Sequence, residues 1–337
     1  MRRAGTKSQR NTRSSRTRPI EPREHPRFSR PRSRRTARLP IQEAPADSEL
    51  VLPVEFRGQL TDAHTHLWSR GGERQILCLH GLASSAAESF AGLAARLAPR
   101  YELVAPDWLG FGRSSRLLGE RDDYGADYCS EWLLRFVAAA RAQGILAGRF
   151  SILAASMAGI AVAKCHARLG DALDQVVLIA PAGLDTWVSR AFAFGMAAPW
   201  LQRLPHVRRR LAKAAGHELE PTELEVLRRY TRAGFSRWGR MRKTHVLRRE
   251  FDRLERPVLL LSGGRDSIFP RQGYLEYAAR RSTWRSVRVE RGDHVLLGEH
   301  DDAVGGAIEA FSPRREQGVT FRRPSFSERQ DQPGREP

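Results

Sequence analysis

Residues 151–160 read SILAASMAGI, an apolar run that breaks into small side chains around Ser156 and then resumes with helical spacing. Either a buried strand ends here and throws Ser156 onto a sharp turn into a helix, or an ordinary strand meets an ordinary small-residue helix. The spacing is close to G-x-S-x-G, the arrangement that holds a serine on a strained strand-to-helix turn with its hydroxyl exposed. Alanine occupies both glycine positions, Ala154 and Ala158. The turn requires small side chains because strand and helix pass close together, and alanine adds a single methyl. Gly159 follows at once and relaxes the first helical turn. An apolar strand, RFSILAA (149–155), precedes the serine and IAVAKCHARLG (160–170) follows it with helical periodicity, so the first reading is favoured.

Outward from this stretch, short apolar runs alternate with helical patterns. QILCLHG (75–81), YELVAPD (101–107), QVVLIAP (175–181), PVLLLSG (257–263) and SVRVERG (286–292) read as strands. SAAESFAGLAARLA (85–98) and DYCSEWLLRFVAAARAQG (127–144) read as amphipathic helices, the second ending at a glycine. Helices between successive apolar strands imply a mostly parallel α/β sheet covered on both faces. Residues 184–255 contain no strand pattern, only helical stretches separated by Pro199, Pro205, Gly216 and Pro221. An insertion of that kind is expected to form a helical cap over the carboxyl edge of the sheet, where open α/β sheets place their sites. The expected organisation is a disordered basic tail over 1–48, a first part of the core over 49–183, the cap over 184–255, a second part of the core over 256–312, and a disordered tail over 313–337.

The net charge of +19 is concentrated in the tails. Residues 1–40 carry +12 and residues 313–337 carry +2, leaving +5 for 41–312. Both ends are rich in proline and poor in large apolar side chains, too poor to offset the entropy of ordering. The N-terminal run has no apolar core of a secretory signal. It reads as a solvated tail, a nucleic-acid arm, a transit-like segment or an over-extended start. The longest apolar runs, around Ile152–Ala163 and Ala191–Leu201, are too short to span a bilayer, and a cytoplasmic location is expected. Cys78, Cys129 and Cys165 are odd in number and lack C-x-x-C spacing, which argues against a disulfide framework or a cysteine-based zinc site.

If Ser156 is a nucleophile, an acid and a histidine should follow it in that order. Asp266 lies in LLLSGGRDSIFP, past a strand and a glycine turn, and His294 lies in VRVERGDHVLLGE, past the next strand. In a parallel sheet both reach the edge that holds Ser156. Taken singly, the first is an ordinary turn aspartate and the second an ordinary loop histidine; the order of all three is what favours a catalytic set. The oxyanion donors are then the backbone N–H of Met157 and that of Leu82, in the loop His80-Gly81-Leu82, with His80 bracing the loop rather than moving protons.

These segments together resemble the α/β-hydrolase superfamily over roughly residues 55–312. The resemblance rests on LHGLASS (79–85), APDWLGFGRSS (105–115), ILAASMAGIA (152–161), LLLSGGRD (259–266) and GDHVLLGEHDDAV (292–304). Asp107, Gly110, Gly112 and Ser114 match the family's APD-x-x-G-x-G-x-S turn. The departure is the double alanine. Serine at 156 is similar to esterases, lipases and C–C hydrolases and unlike the carboxylate nucleophile of haloalkane dehalogenases and epoxide hydrolases. The implied activity is hydrolysis of a carboxylic ester of a small molecule through Ser156, His294 and Asp266, with no metal and no cofactor. A C–C bond hydrolase, an acyltransferase and a non-catalytic binding protein on the same fold are the alternatives. Trp187, Phe192, Phe194 and Trp200 in the cap line an apolar substrate pocket or simply pack the cap itself. Oligomeric state is not legible, and the basic segments lack the interleaved aromatics of a nucleic-acid module.

A metal hydrolase is the sharpest rival. LTDAHTHLW (60–68) carries His-x-His beside Asp62 and resembles the N-terminal metal motif of amidohydrolases. His64 and His66 share one strand face. Further ligands are scarce, however, and the pair is otherwise the polar face of an edge strand in an N-terminal hairpin.

Overall fold

In the computed structural model, described for residues 48–69, 72, 74–184, 204–215, 218–235, 241–269 and 271–311, eight strands form one sheet. The strands are β1 (Ser48–Phe56), β2 (Gln59–Trp68), β3 (Arg74–Leu79), β4 (Tyr101–Pro106), β5 (Phe150–Ala155), β6 (Leu173–Ile179), β7 (Val258–Gly263) and β8 (Trp284–Val289). Their order is β1-β2-β4-β3-β5-β6-β7-β8. β1 and β2 pair antiparallel, β2 and β4 likewise, and every later pairing is parallel. The connecting helices are α1 (Ala86–Leu97), α2 (Ala126–Ala142), α3 (Ala158–Leu169), α4 (Pro205–Ala215), α5 (Pro221–Gly234), α6 (Arg248–Asp252), α7 (Arg271–Ala279) and α8 (Asp301–Phe311).

The uninterrupted apolar runs of the central strands follow from burial on both faces. Ile152 and Ala154 of β5 pack into the core under α2 and α3, with Val176 and Leu178 of β6 and Val258 and Leu260 of β7. The intervening Leu153, Val177, Ile179, Leu259 and Leu261 pack with Phe90, Leu93 and Leu97 of α1 and Val304 and Ile308 of α8. Burying each of the Val, Leu, Ile and Phe side chains among these stabilises the fold by about 1.5–3 kcal/mol. β8 is exposed along most of its length and carries Arg285 and Arg288, charges that discourage pairing with another chain.

His64 and His66 do not lie on an edge strand. β2 is flanked by β1 and β4, and both histidines are buried. The edge position falls to β1, whose alternation turns Leu52, Val54 and Phe56 inward and Val51 outward. Within 184–255 the described residues form α4, α5, α6 and a short 3₁₀ turn at Lys243–His245. Most of the expected tails, together with Trp187, Phe192, Phe194 and Trp200, lies outside the described residues. Among those residues no helix is long and apolar enough to cross a membrane.

Candidate active site

Ser156 follows β5 directly and has φ +49°, a left-handed conformation that side-chain-bearing residues rarely adopt. Backbone bonds hold it there. Its N–H donates to the Ile179 carbonyl at 2.8 Å, and its carbonyl accepts from Ala182 N–H at 2.9 Å and Gly159 N–H at 3.1 Å. α3 therefore starts against the segment that leaves β6. A Cβ placed on Gly159 would lie 2.7 Å from Pro181 Cβ, so the position that must lack a side chain is Gly159. Ala154 and Ala158 are fully buried with their methyls accommodated, which explains how the turn survives two alanines.

The Ser156 hydroxyl lies 2.9 Å from Nε2 of His294, and Nδ1 of His294 lies 3.0 Å from Oδ2 of Asp266. The loops bearing the two partners are laced together. Gly264 N–H donates to the Val289 carbonyl and Arg265 N–H to the Gly292 carbonyl, each at 2.7 Å. A Cβ on Gly263 would collide with the Asp293 carbonyl, so β7 and the loop after β8 approach as only glycine permits. Oδ1 of Asp266 accepts from the N–H groups of Ile268 (2.8 Å) and Phe269 (3.1 Å). The Phe269 ring rests on the imidazole with centroids 5.1 Å apart. Exposure rises along the chain of groups, from 1% for the Asp266 side chain to 13% for that of His294, so the histidine faces outward and its partner does not.

Burial works to raise the Asp266 carboxyl, but the His294 hydrogen bond and charge, with the N–H groups of Phe269 and Ile268, outweigh it. The carboxyl is held below its ordinary range and stays ionised near neutrality. Nδ1 of the imidazole faces Asp266, and Nε2 is the ring nitrogen that meets the serine hydroxyl.

Opposite Ser156, a Cβ on Gly81 would sit 3.5 Å from Ser156 Cβ, an ordinary contact that places the loop after β3 beside the serine. Among the described residues, neither the Leu82 nor the Met157 N–H donates to a backbone acceptor. His80 is buried beneath this loop. Its Nε2 accepts from Trp108 N–H at 2.9 Å, the Trp108 indole N–H donates back to the His80 carbonyl at 2.9 Å, and Nδ1 lies 2.7 Å from the Gly81 carbonyl. Burial, only partly opposed by Asp107, keeps this imidazole below its ordinary pKa and hence neutral.

The turn after β4 is organised around Asp107. Its carboxylate accepts from Ala86 N–H (2.7 Å) and Arg113 N–H (2.8 Å), and Ser114 Oγ–H donates to its carbonyl at 2.8 Å. Gly112 has φ +53°, and a Cβ there would land on the Asp107 carboxyl. From this turn Arg116 reaches Glu223 of α5 at 2.9 Å, while Arg229 of α5 donates to the Leu118, Gly119 and Asp122 carbonyls. The sequence pattern did not identify Phe269, Trp108 or Arg229 as supports of this region. Only the position of Phe269, three residues beyond Asp266, was a usable signal.

His64 and His66 do not join Ser156, His294 and Asp266. β4 and β3 separate their strand from β5 in the sheet, and the carboxylate beside them is that of Asp107, not the exposed Asp62.

Residues 76–307 match the profile of a family described as "Alpha/beta hydrolase family". No curated protein sequence matches the chain. The fold is similar to that of 2-hydroxy-6-oxo-6-phenylhexa-2,4-dienoate hydrolase from Rhodococcus sp. strain RHA1 (TM-score 0.62, 18% identity, covering 78% of this chain and 99% of that one). It is also similar to a thermophilic esterase from Thermogutta terrifontis (TM-score 0.61, 15% identity, 78% and 97% covered). A carboxylesterase from Bacillus subtilis aligns with a TM-score of 0.56 and 14% identity over 78% and 91% of the two chains.

Proposed function

From the premise that this chain belongs to the alpha/beta hydrolase family, we propose that it is a serine hydrolase cleaving a carboxylic ester of a small molecule. The observation that carries the reading is the unbroken line from Ser156 Oγ through the His294 ring to Asp266, at 2.9 and 3.0 Å, ending on a serine held at φ +49°. In this reading Nε2 of His294 takes the hydroxyl proton as Ser156 Oγ attacks the carbonyl carbon, and Asp266 holds the imidazole in the productive tautomer. The oxyanion accepts from the Leu82 and Met157 N–H groups. His294 then protonates the departing alkoxide, and a water deprotonated by the same nitrogen releases the acid. Side chains and water suffice for this chemistry, so the reading calls for no cofactor. A helical cap formed by residues 184–255, an apolar pocket including Trp187, Phe192, Phe194 and Trp200, and a cytoplasmic location belong to the same proposal.

Two measurements test it. A fluorophosphonate should modify one residue, Ser156, and an activated ester should give a burst of alcohol that Ser156→Ala abolishes without loss of fold. Modification elsewhere, or near-wild-type turnover in Ser156→Ala, would overturn the assignment. A second reading, C–C bond hydrolysis, draws on the activity named for the Rhodococcus structure. Cleavage of a vinylogous diketone acid in preference to esters of varied acyl length would select it. An acyltransferase would instead pass the acyl group to an added alcohol or thiol. Absence of both label and burst would leave a non-catalytic binding protein.

A further inference from the structure

The proposed hydrolytic chemistry leaves the two histidines of β2 unused. His64 and His66 lie one residue apart on the same strand face, and both are buried. β2 runs antiparallel to β4 with His66 opposite Ala105, which brings Asp107 alongside. The backbone there is tightly held: Asp107 N–H donates to the His64 carbonyl at 2.8 Å, and His64 N–H donates to Ser114 Oγ at 2.9 Å. Nδ1 of His64 lies 3.6 Å from Asp107 Oδ2 and is a buried nitrogen with no hydrogen-bond partner. On the far side of the ring, Nε2 lies 3.3 Å from Glu49 Oε2. One donor atom from each of His64, His66 and Asp107 lies within 4.8 Å of the other two.

The separation of 3.6 Å between imidazole and carboxylate is too long for a good hydrogen bond. It is the spacing that two ligands have around a tetrahedral ion, since metal–nitrogen and metal–oxygen bonds of about 2.0–2.2 Å set ligand atoms about 3.3–3.6 Å apart. The carboxylate at the opposite ring nitrogen completes the pattern, because a metal-bound histidine donates its other N–H to a carboxylate that fixes the ring.

We propose that His64, His66 and Asp107 bind one divalent transition-metal ion of the zinc type, His64 through Nδ1 and Asp107 through Oδ2, with Glu49 orienting the His64 ring. Nitrogen and oxygen donors without thiolate suit zinc, cobalt or nickel rather than copper(I). The three side chains leave a fourth position for water. Such an ion joins β2 to the turn after β4, whose Asp107 already gathers the Ala86 and Arg113 N–H groups. Its role is structural, because β4 and β3 intervene between β2 and the strand that carries Ser156. The rival occupant of the gap is a proton shared between His64 and Asp107.

The test uses the full chain without a polyhistidine tag, stripped with chelator, dialysed and titrated with cobalt(II) near neutral pH. One ion per chain is expected, with the visible absorption of tetrahedral cobalt, displacement by zinc and a raised melting temperature. His66→Phe keeps the ring stacked on Trp68, whose centroid is 5.3 Å away, and removes one ligand; it should lose the cobalt bands. Absence of the bands from the wild-type chain at millimolar cobalt overturns the proposal and favours the shared proton. So do bands that persist undiminished in both His66→Phe and His64→Gln. Should either variant fail to fold, the wild-type titration decides alone.

Discussion

Two clusters in this molecule use the same side-chain types and end up with opposite geometry. Ser156, His294 and Asp266 stand on loops after three parallel strands and meet in hydrogen bonds of 2.9 and 3.0 Å. His64, His66 and Asp107 stand on or directly beside antiparallel strands, with 3.6 Å between His64 Nδ1 and Asp107 Oδ2, and His64 Nδ1 has no hydrogen-bond partner. Loop residues orient freely, so the backbone around Asp266 turns until its own N–H groups and His294 saturate the carboxylate. A strand face dictates where its side chains stand, and the β2–β4 register sets the spacing first and leaves the polar atoms to accommodate it. Both carboxyls are opposed by burial and still held below their ordinary range. For Asp266 the hydrogen bond from His294 leads the compensation, and for Asp107 it is the interaction with His64, joined by the N–H groups of Ala86 and Arg113.

The widest separation between the clusters should come from their aspartates. Asp266→Asn is expected to lower kcat by roughly 10⁴, because the amide holds the wrong imidazole tautomer, with the unfolding midpoint nearly unchanged. A loss smaller than tenfold would remove Asp266 from its orienting role. Asp107→Asn should do the reverse, destabilising the fold by about 1.5–3 kcal/mol through its weakened charge-assisted bonds while costing far less turnover per folded molecule. Urea unfolding and steady-state kinetics on the two variants check both halves.

The same pair predicts an acid limb. A carboxyl whose folded pKa lies below its unfolded value, about 3.9 for aspartate, adds stability above that value. The contribution disappears as pH falls through the folded pKa. Wild-type stability should therefore decline below about pH 4, and Asp107→Asn should decline less steeply. Equal slopes would mean that Asp107 carries no such linkage.

A smaller effect concerns the turn itself. Ala158→Leu should overfill the start of α3 and cost about 1–3 kcal/mol, whereas glycine at 154 or 158 should preserve activity. Gly159→Ala should disturb the turn more than Ala158→Gly, given the 2.7 Å approach to Pro181. Unchanged stability and activity in Ala158→Leu would contradict the close crossing. The smallest effect is expected from charge. Residues 184–255 carry +8, and Arg208 and Arg209 of α4 are exposed. If they flank the mouth of the site, kcat/KM for anionic esters over matched neutral ones should fall as salt shortens the Debye length toward about 8 Å. A flat ratio would assign this charge to solubility.

What was legible in the sequence was local. The strand–helix alternation could be read because two-sided burial forces each central strand into an unbroken apolar run, and the family motifs mark the turns at their ends. The order Ser156, Asp266, His294 was readable as a sequence of strand-end residues, and its meeting point follows once the strands are parallel. Tertiary structure decided the rest. That Asp107 and not Asp62 stands beside the two histidines depends on β2 pairing with β4, a register between segments some forty residues apart. That Gly159 carries the steric demand expected of residues 154 and 158 depends on where the chain leaves β6. The Phe269 ring reaches His294 only because β7 and β8 bring their loops together. Periodicity and turn chemistry act over a few residues, so sequence alone determines elements and their ends. Which side chains touch across the sheet is set by strand order and register, and those depend on packing the whole core at once.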